Sequence, residues 1–222
     1  MDLRAHLAEH WPLFGLSVRT PRLELRYPDD ADLVALSLQA TDIQEPGGLQ
    51  PFSFAWHHGA DDEVQQRFLQ YHWARRGDWS PTTWNLNLAT VVDGEVVGTQ
   101  GVHPTHPFAV TRTFTTGSWL GRPHQRKGIG TEMRQAILHL AFAGLGALRA
   151  ETGAIEGNEP SLGVTRKLGY RPNGDAVNAD GDERRIELKF AMDRTEWEAR
   201  RRDDIEIVGL EPCLPLFGLS EP

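Results

Sequence analysis

Between Gln125 and Thr131 the chain reads Gln-Arg-Lys-Gly-Ile-Gly-Thr, and directly afterwards Met133, Ile137, Leu140 and Ala141 recur at helical spacing. Gly128 and Gly130 carry no Cβ, so the backbone there can bend tightly and let a ligand come close. A glycine turn opening a helix gathers free N–H groups and the positive end of the helix dipole at one point, which suits a phosphate. Two common nucleotide loops do not fit. The dinucleotide fingerprint needs a third glycine where Met133 stands, and the chain has no Gly-Lys-Ser/Thr triplet of the Walker type.

The elements that must position this loop follow from patterning. Residues 17–27 contain Arg22-Leu-Glu-Leu-Arg26, whose alternation predicts a strand, and Pro28-Asp29-Asp30 stops it and caps a helix carrying Leu33, Leu36 and Leu38. Residues 41–60 are loop-like, with Pro46-Gly47-Gly48 as a turn, and Asp61-Asp62 opens a second helix with Val64, Phe68, Tyr71 and His72. Trp84, Leu86 and Leu88 alternate toward Asp93-Gly94, a two-residue hairpin turn, and Glu95 to Gln100 returns. A strand near 113–120, the glycine loop, a helix to about Gly146 and a strand over 147–152 follow. Asn158 to Leu168 reads as a helix that Gly169 ends in the left-handed conformation, then 185–191 alternates, and Thr195-Glu-Trp-Glu198 reads as a capping box. The order predicts one α/β domain over residues 1–222, its core at about 17–193, with a mixed, mainly antiparallel twisted sheet flanked by helices and short apolar extensions at both ends.

Composition narrows the function classes. Of 222 residues, 39% are hydrophobic and 24% charged, which is globular rather than disordered. No apolar run reaches membrane-spanning length and Met1-Asp2-Leu3-Arg4 begins no signal peptide, so neither a membrane partner nor export is expected. One cysteine, Cys213, excludes an intrachain disulfide and fits an inert thiol in a cytoplasmic protein. A net charge of −8 argues against nucleic acid as a partner and favours a cationic acceptor such as an amine. His57-His58 and the pair His103 and His106 lack neighbouring cysteines, so no metal is expected. The hexapeptide Pro12 to Ser17 recurs letter for letter as Pro215 to Ser220. Apolar tails tucked on the core account for it, and docking of both ends across a homodimer two-fold is the sharper alternative.

Gln125-x-x-Gly128-x-Gly130 resembles the acyl-coenzyme A pyrophosphate loop of the GCN5-related N-acetyltransferase (GNAT) superfamily. Asn158-Glu-Pro-Ser161 followed by Arg166-Lys-Leu-Gly-Tyr170 resembles the branch containing the ribosomal-protein N-terminal alanine acetyltransferases, as do Arg19 to Arg26 and Gly117-Ser-Trp-Leu120. The resemblance spans roughly residues 17–193, judged by the order of elements. It implies direct transfer of an acetyl group from acetyl-CoA to a primary amine, peptide or small molecule. The donor pyrophosphate would lie on Gln125, Arg126, Lys127, Gly128, Ile129, Gly130 and Thr131, with a backbone N–H near Trp119 or Leu120 polarising the thioester carbonyl. Ser161 would assist the leaving thiolate, because Thr165 stands where many members carry a tyrosine. Asn158 is either a coenzyme ligand or the helix cap. The fourth strand lacks the glutamate many members use as base, which leaves His103, by position, or loss of the proton to water. Trp56 and His57, in the irregular loop, are the expected acceptor contacts, ahead of Phe52, Phe54 and Trp73. Some similar proteins use succinyl-CoA, whose carboxylate would need partners such as His103, His106 or Arg112. A noncatalytic acyl-CoA-binding module is the alternative from another class.

Overall fold

In the computed structural model, which describes residues 3–105 and 107–220, the predicted alternation becomes one nine-stranded sheet. Helix α1 (Leu3–His10) and a 3-10 turn (Pro12–Gly15) lead into β1 (Ser17–Arg19) and β2 (Glu24–Arg26). The Asp29 carboxylate accepts from the Asp32 amide, and the Asp32 carboxylate accepts from the Asp29 amide. This reciprocal cap opens α2 (Asp30–Gln39). After the loop comes α3 (Asp61–Gly77), then β3 (Leu86–Val92) and β4 (Glu95–Pro104), joined by Asp93-Gly94 with both residues at positive φ, as a tight hairpin requires. A short helix α4 (Phe108–Thr111) precedes β5 (Thr113–Leu120) and α5 (Ile129–His139). The remaining elements are β6 (Arg149–Ile155), α6 (Glu159–Leu168), β7 (Arg171–Asp180), β8 (Glu183–Asp193), α7 (Arg194–Glu198) and β9 (Glu206–Val208).

The sheet order is β7-β8-β6-β5-β4-β3-β2-β1-β9, and every pair is antiparallel except β5 with β6. The fold is mixed α/β and mainly antiparallel, as predicted. Helices α5 and α6 close one face through Ile129, Met133, Ile137 and Leu162, while α2 and α3 close the other through Leu33, Leu36, Val64 and Phe68. Each fully buried leucine or phenylalanine in such a layer contributes roughly 1.5–3 kcal/mol of transfer free energy.

Several boundaries differ from the sequence expectation. The 17–27 strand is split in two, because Thr20 takes the backbone out of line by bonding the Leu23 amide and carbonyl. Helix α5 ends at His139 and widens into a π-turn over Leu140–Gly144. Strand β7 was not predicted: its side chains are mostly exposed, so no apolar alternation marks it. The last capping box is Asp193 with Glu196, one turn's start earlier than Thr195 with Glu198. The two hexapeptide copies each form 3-10 turns and bury Leu13, Leu16, Phe217 and Leu219 in the chain's own core. Trp79 joins them, its ring against Trp11 and Phe217 and its indole N–H donating to the Leu216 carbonyl at 2.8 Å.

Candidate functional site: a splay between two parallel strands

Strands β5 and β6 pair only from Thr113↔Arg149 to Thr115↔Glu151. Beyond that point β5 stays on β4 and β6 stays on β8, so the two parallel strands separate. The Gly121 amide donates to the Val97 carbonyl at 2.9 Å, and the register pairs Leu120 with Gly98. Alternation then turns the Trp119 amide toward β4 and those of Ser118 and Leu120 toward the splay. Of the two residues that the sequence left open, Leu120 is therefore the one whose backbone faces the cleft. The Trp119 indole packs on the other face against Trp56 and Phe68.

Helices α5 and α6 follow β5 and β6, so both begin at the open end of the splay. Arg126 (φ 59°) and Gly128 (φ 80°) take left-handed conformations, and this curls the loop before α5. The amides of Thr131 and Glu132 return to the Gly128 carbonyl, whereas those of Ile129 and Gly130 have no carbonyl one turn back. A Cβ on Gly130 would meet Val164 and Leu120 at 3.8 and 3.9 Å, ordinary contact, so the fold itself tolerates a side chain there. Gly128 needs glycine for its dihedral, whereas nothing in the fold itself requires glycine at 130.

Two motif side chains turn away from the cleft. The Gln125 side-chain amide donates to the Leu120 and Ile43 carbonyls (2.9 and 2.6 Å). The Asn158 carbonyl oxygen caps α6 by accepting from the Ser161 amide at 3.3 Å, and its NH2 donates to the Pro51 carbonyl. Both tie the 43–60 loop to the donor side. The Ser161 hydroxyl makes no hydrogen bond among the described residues. Trp56 and His57 sit in the same loop within one aromatic cluster with Phe52, and His57 is buried with its pKa lowered to about 4, chiefly by burial. Trp73 lies exposed on α3, donating to Asp30.

On that face the splay is lined by glycine. Extending the β5–β6 register puts Gly117 opposite Gly153. The His103 ring covers Gly117 and Gly101, with Nε2 at 2.9 Å from the Asn87 oxygen, and burial lowers its pKa to about 4. A Cβ on Gly153 would collide with the Glu187 carboxylate, so that carboxylate lies directly over the glycine.

Three side chains at the splay were not read from sequence. Arg22 donates to the Lys127 carbonyl at 2.9 Å and pairs with Glu132, which also accepts from Thr20 and so braces the loop. Arg134, 5% exposed, spans the opposite face of the splay, donating to Gln100 on β4, Ser118 on β5 and Thr152 on β6 at 3.0–3.3 Å. It occupies a position of α5's apolar stripe, three and four residues before Ile137 and Leu138, and that intrusion was the available signal. Glu187 was hidden in a strand whose pairing with β6 only the topology supplies.

Of the other expected groups, Cys213 is fully buried and its pKa is pushed up to about 12, which leaves no thiolate. Arg112 donates to the Leu145 carbonyl and lies over the Phe108 ring, and His106 falls outside the described residues. Among the described residues one group has metal-ligand spacing, His6, Glu9 and His10, exposed on α1 rather than in the cleft. No helix of the described residues is long and apolar enough to cross a membrane.

Splayed parallel strands thus open onto a glycine loop and two helix starts. Residues 22–171, more than half of the chain, match the family described as acetyltransferase (GNAT) domain, and the chain belongs to that family. It is thus a GNAT-type N-acetyltransferase, an enzyme that draws its acyl group from acyl-CoA. Its fold is similar to that of RimJ from Mycobacterium smegmatis in complex with CoA-disulfide (21% identity, TM-score 0.65, 88% of this chain and 97% of the other). It is also similar to RimL, a ribosomal L7/L12 alpha-N-protein acetyltransferase in complex with coenzyme A (19%, 0.61, 78% and 95%). A GNAT-family acetyltransferase from Bacillus anthracis aligns comparably (19%, 0.61, 81% and 99%).

Proposed function

We propose that the protein transfers an acetyl group from acetyl-CoA directly to a primary amine, in the cytoplasm and without a covalent enzyme intermediate. The observation that carries this is the β5–β6 splay, opening at one end onto the free amides of Ile129 and Gly130 and onto the unbonded Ser161 hydroxyl. The pyrophosphate lies on the loop amides with Arg126, Lys127 and the Thr131 hydroxyl around it. The Leu120 or Ser118 amide, facing the splay, donates to the thioester oxygen, an interaction worth roughly 3 kcal/mol of barrier in other acyl transfers. The neutral amine nitrogen attacks the carbonyl carbon, the C–N bond forms, the C–S bond breaks, the nitrogen gives up a proton, and the thiolate accepts a hydrogen bond from Ser161.

Ser161→Ala is expected to lower kcat about tenfold, roughly 1.4 kcal/mol, while coenzyme A affinity by calorimetry stays within about twofold. The hydroxyl matters as charge builds on sulfur, and its removal leaves the Asn158 cap in place. A variant that turns over like the parent would reduce Ser161 to a helix-start residue. No thiol release by the parent over an amine panel (an alanine-initiated peptide, a lysine peptide, spermidine, an aminoglycoside) would favour the noncatalytic binding module.

Acetyl ranks ahead of succinyl as the donor. A succinyl carboxylate needs a cationic or N–H partner. His103 is neutral at pH 7, Arg112 is committed to Leu145, and Arg134 already spans three strands. With one shared amine, kcat/KM for acetyl-CoA should exceed that for succinyl-CoA. A value for succinyl-CoA tenfold higher, about 1.4 kcal/mol, would reverse the ranking.

A further inference from the structure

The two faces of the splay differ in kind. On the α5 side Arg134 closes it, fastened to Ser118 on one edge and Thr152 on the other. On the α3 side the extended register sets Gly117 opposite Gly153, and neither carries a side chain to fill the space between the parted strands. An amine approaching a thioester held between the strands from the α3 side would meet this bare stretch. The titratable side chains that border it include His103 over Gly117, Glu187 over Gly153, and Lys189, the β8 partner of Gly153. His103 is neutral at pH 7 and its Nε2 is already held by the Asn87 oxygen, so it offers no charge to an incoming ammonium. Glu187 is a carboxylate, carries the charge that attracts an ammonium, and is held on two sides. Lys189 donates to Oε1 at 2.8 Å and the Asn178 NH2 to Oε2 at 3.0 Å. Each carboxylate oxygen has a second lone-pair direction, so neither bond excludes an incoming N–H.

We propose that Glu187 is the catalytic group on the acceptor side: it binds the amine of the acceptor at the bare stretch between Gly117 and Gly153 and takes its proton. Resting on the transferase assignment above, the step balances simply. A Glu187 oxygen takes one proton from the ammonium and passes it to water, which frees the nitrogen lone pair; that pair forms the C–N bond, the C–S pair leaves on sulfur, and the nitrogen's second proton neutralises the thiolate. Gly153 is part of the same device, because only a residue without Cβ leaves room for the carboxylate over the strand. The acceptor class is a primary amine that meets the enzyme as a cation, whether a peptide N-terminus or a polyamine.

The test compares the parent, Glu187→Gln, Gly153→Ala and the double variant on whichever amine of the panel above the parent acylates fastest. Glu187→Gln keeps the shape, accepts from Lys189 through its oxygen and donates through its NH2 to Asn178 once that amide turns, while abolishing charge and basicity. It is expected to lower kcat/KM for the amine about a hundredfold at pH 7, with the deficit shrinking above pH 8 as the free amine takes over. Coenzyme A affinity by calorimetry should stay within about twofold. Gly153→Ala should reproduce the defect by displacing the carboxylate, and the double variant should be no worse than Glu187→Gln alone. If Gly153→Ala does not fold, the pH profile of Glu187→Gln decides. A Glu187→Gln enzyme with the parent's profile, or one that loses coenzyme A affinity in step with rate, overturns the assignment while the transferase reading stands. A parent that acylates none of the panel overturns both.

Discussion

A Gly130→Val protein is expected to fold normally and to lose coenzyme A affinity by at least a hundredfold, about 2.8 kcal/mol. Gly130 lies in the first turn of α5 with an ordinary helical dihedral, and its added Cβ meets Val164 and Leu120 at contact distance without overlap. The chain therefore loses little by the change, and the valine side chain instead fills the space over the free amides, where a pyrophosphate must approach the backbone. Gly128→Val would be the poorer probe, since its φ of 80° strains any residue with a Cβ and mixes folding with binding. Gly163→Ala is a useful control: the site in α6 is open, so this change should stabilise by up to about 1 kcal/mol and leave binding alone. Calorimetry giving the parent's dissociation constant for a Gly130→Val protein with an unchanged melting temperature would end the phosphate-loop assignment.

The sequence made the loop legible because its information is local. Two glycines, a basic pair and a helical apolar stripe lie within one turn and its helix, and local geometry there predicts where free amides fall. The same holds for the Asp29–Asp32 cap, the Asp93-Gly94 hairpin and the left-handed Gly169 (φ 85°). What sequence could not supply is register. That Gly117 stands across a gap from Gly153, or that Glu187 lies over the latter, follows only from which strand pairs with which, and period-two patterning is silent on partners. Gln125 and Asn158 show a subtler limit. Their types and positions mark the motif, yet their side chains point to carbonyls of the 43–60 loop, at Ile43 and Pro51, so they shape the acceptor side from residues that read as donor-side. Arg134 was passed over because a polar residue in an amphipathic helix is read by default as solvent-facing. Its burial depends on three hydroxyl and amide acceptors from three strands.

Acidification from pH 7 to pH 5 should cost this protein on the order of 4 kcal/mol of unfolding free energy through its buried histidines alone. His72, buried on α3, has its pKa lowered to about 3 by burial and then by Arg76, and burial lowers His103 to about 4. In the unfolded chain both titrate near 6.5, so between pH 6.5 and 4 the unfolded state binds more protons than the folded one. Unfolding free energy then rises with pH across that window: the contribution is fully present above about pH 6.5 and is lost as pH falls toward the folded values. At pH 5 each histidine has lost about 1.5 units' worth, on the order of 2 kcal/mol. His57 and His139, also lowered, move in the same direction. Asp30 and Asp193 lie below the usual carboxylate range, so their paired contributions fade only below the window. Against a typical total of about 5–15 kcal/mol, such a loss is large enough to read from denaturation midpoints at pH 7 and pH 5. A His72→Gln/His103→Gln protein, whose amides do not titrate, should show a far flatter dependence over that range. If its two midpoints differ as much as the parent's, the neutral buried state of these histidines is wrong.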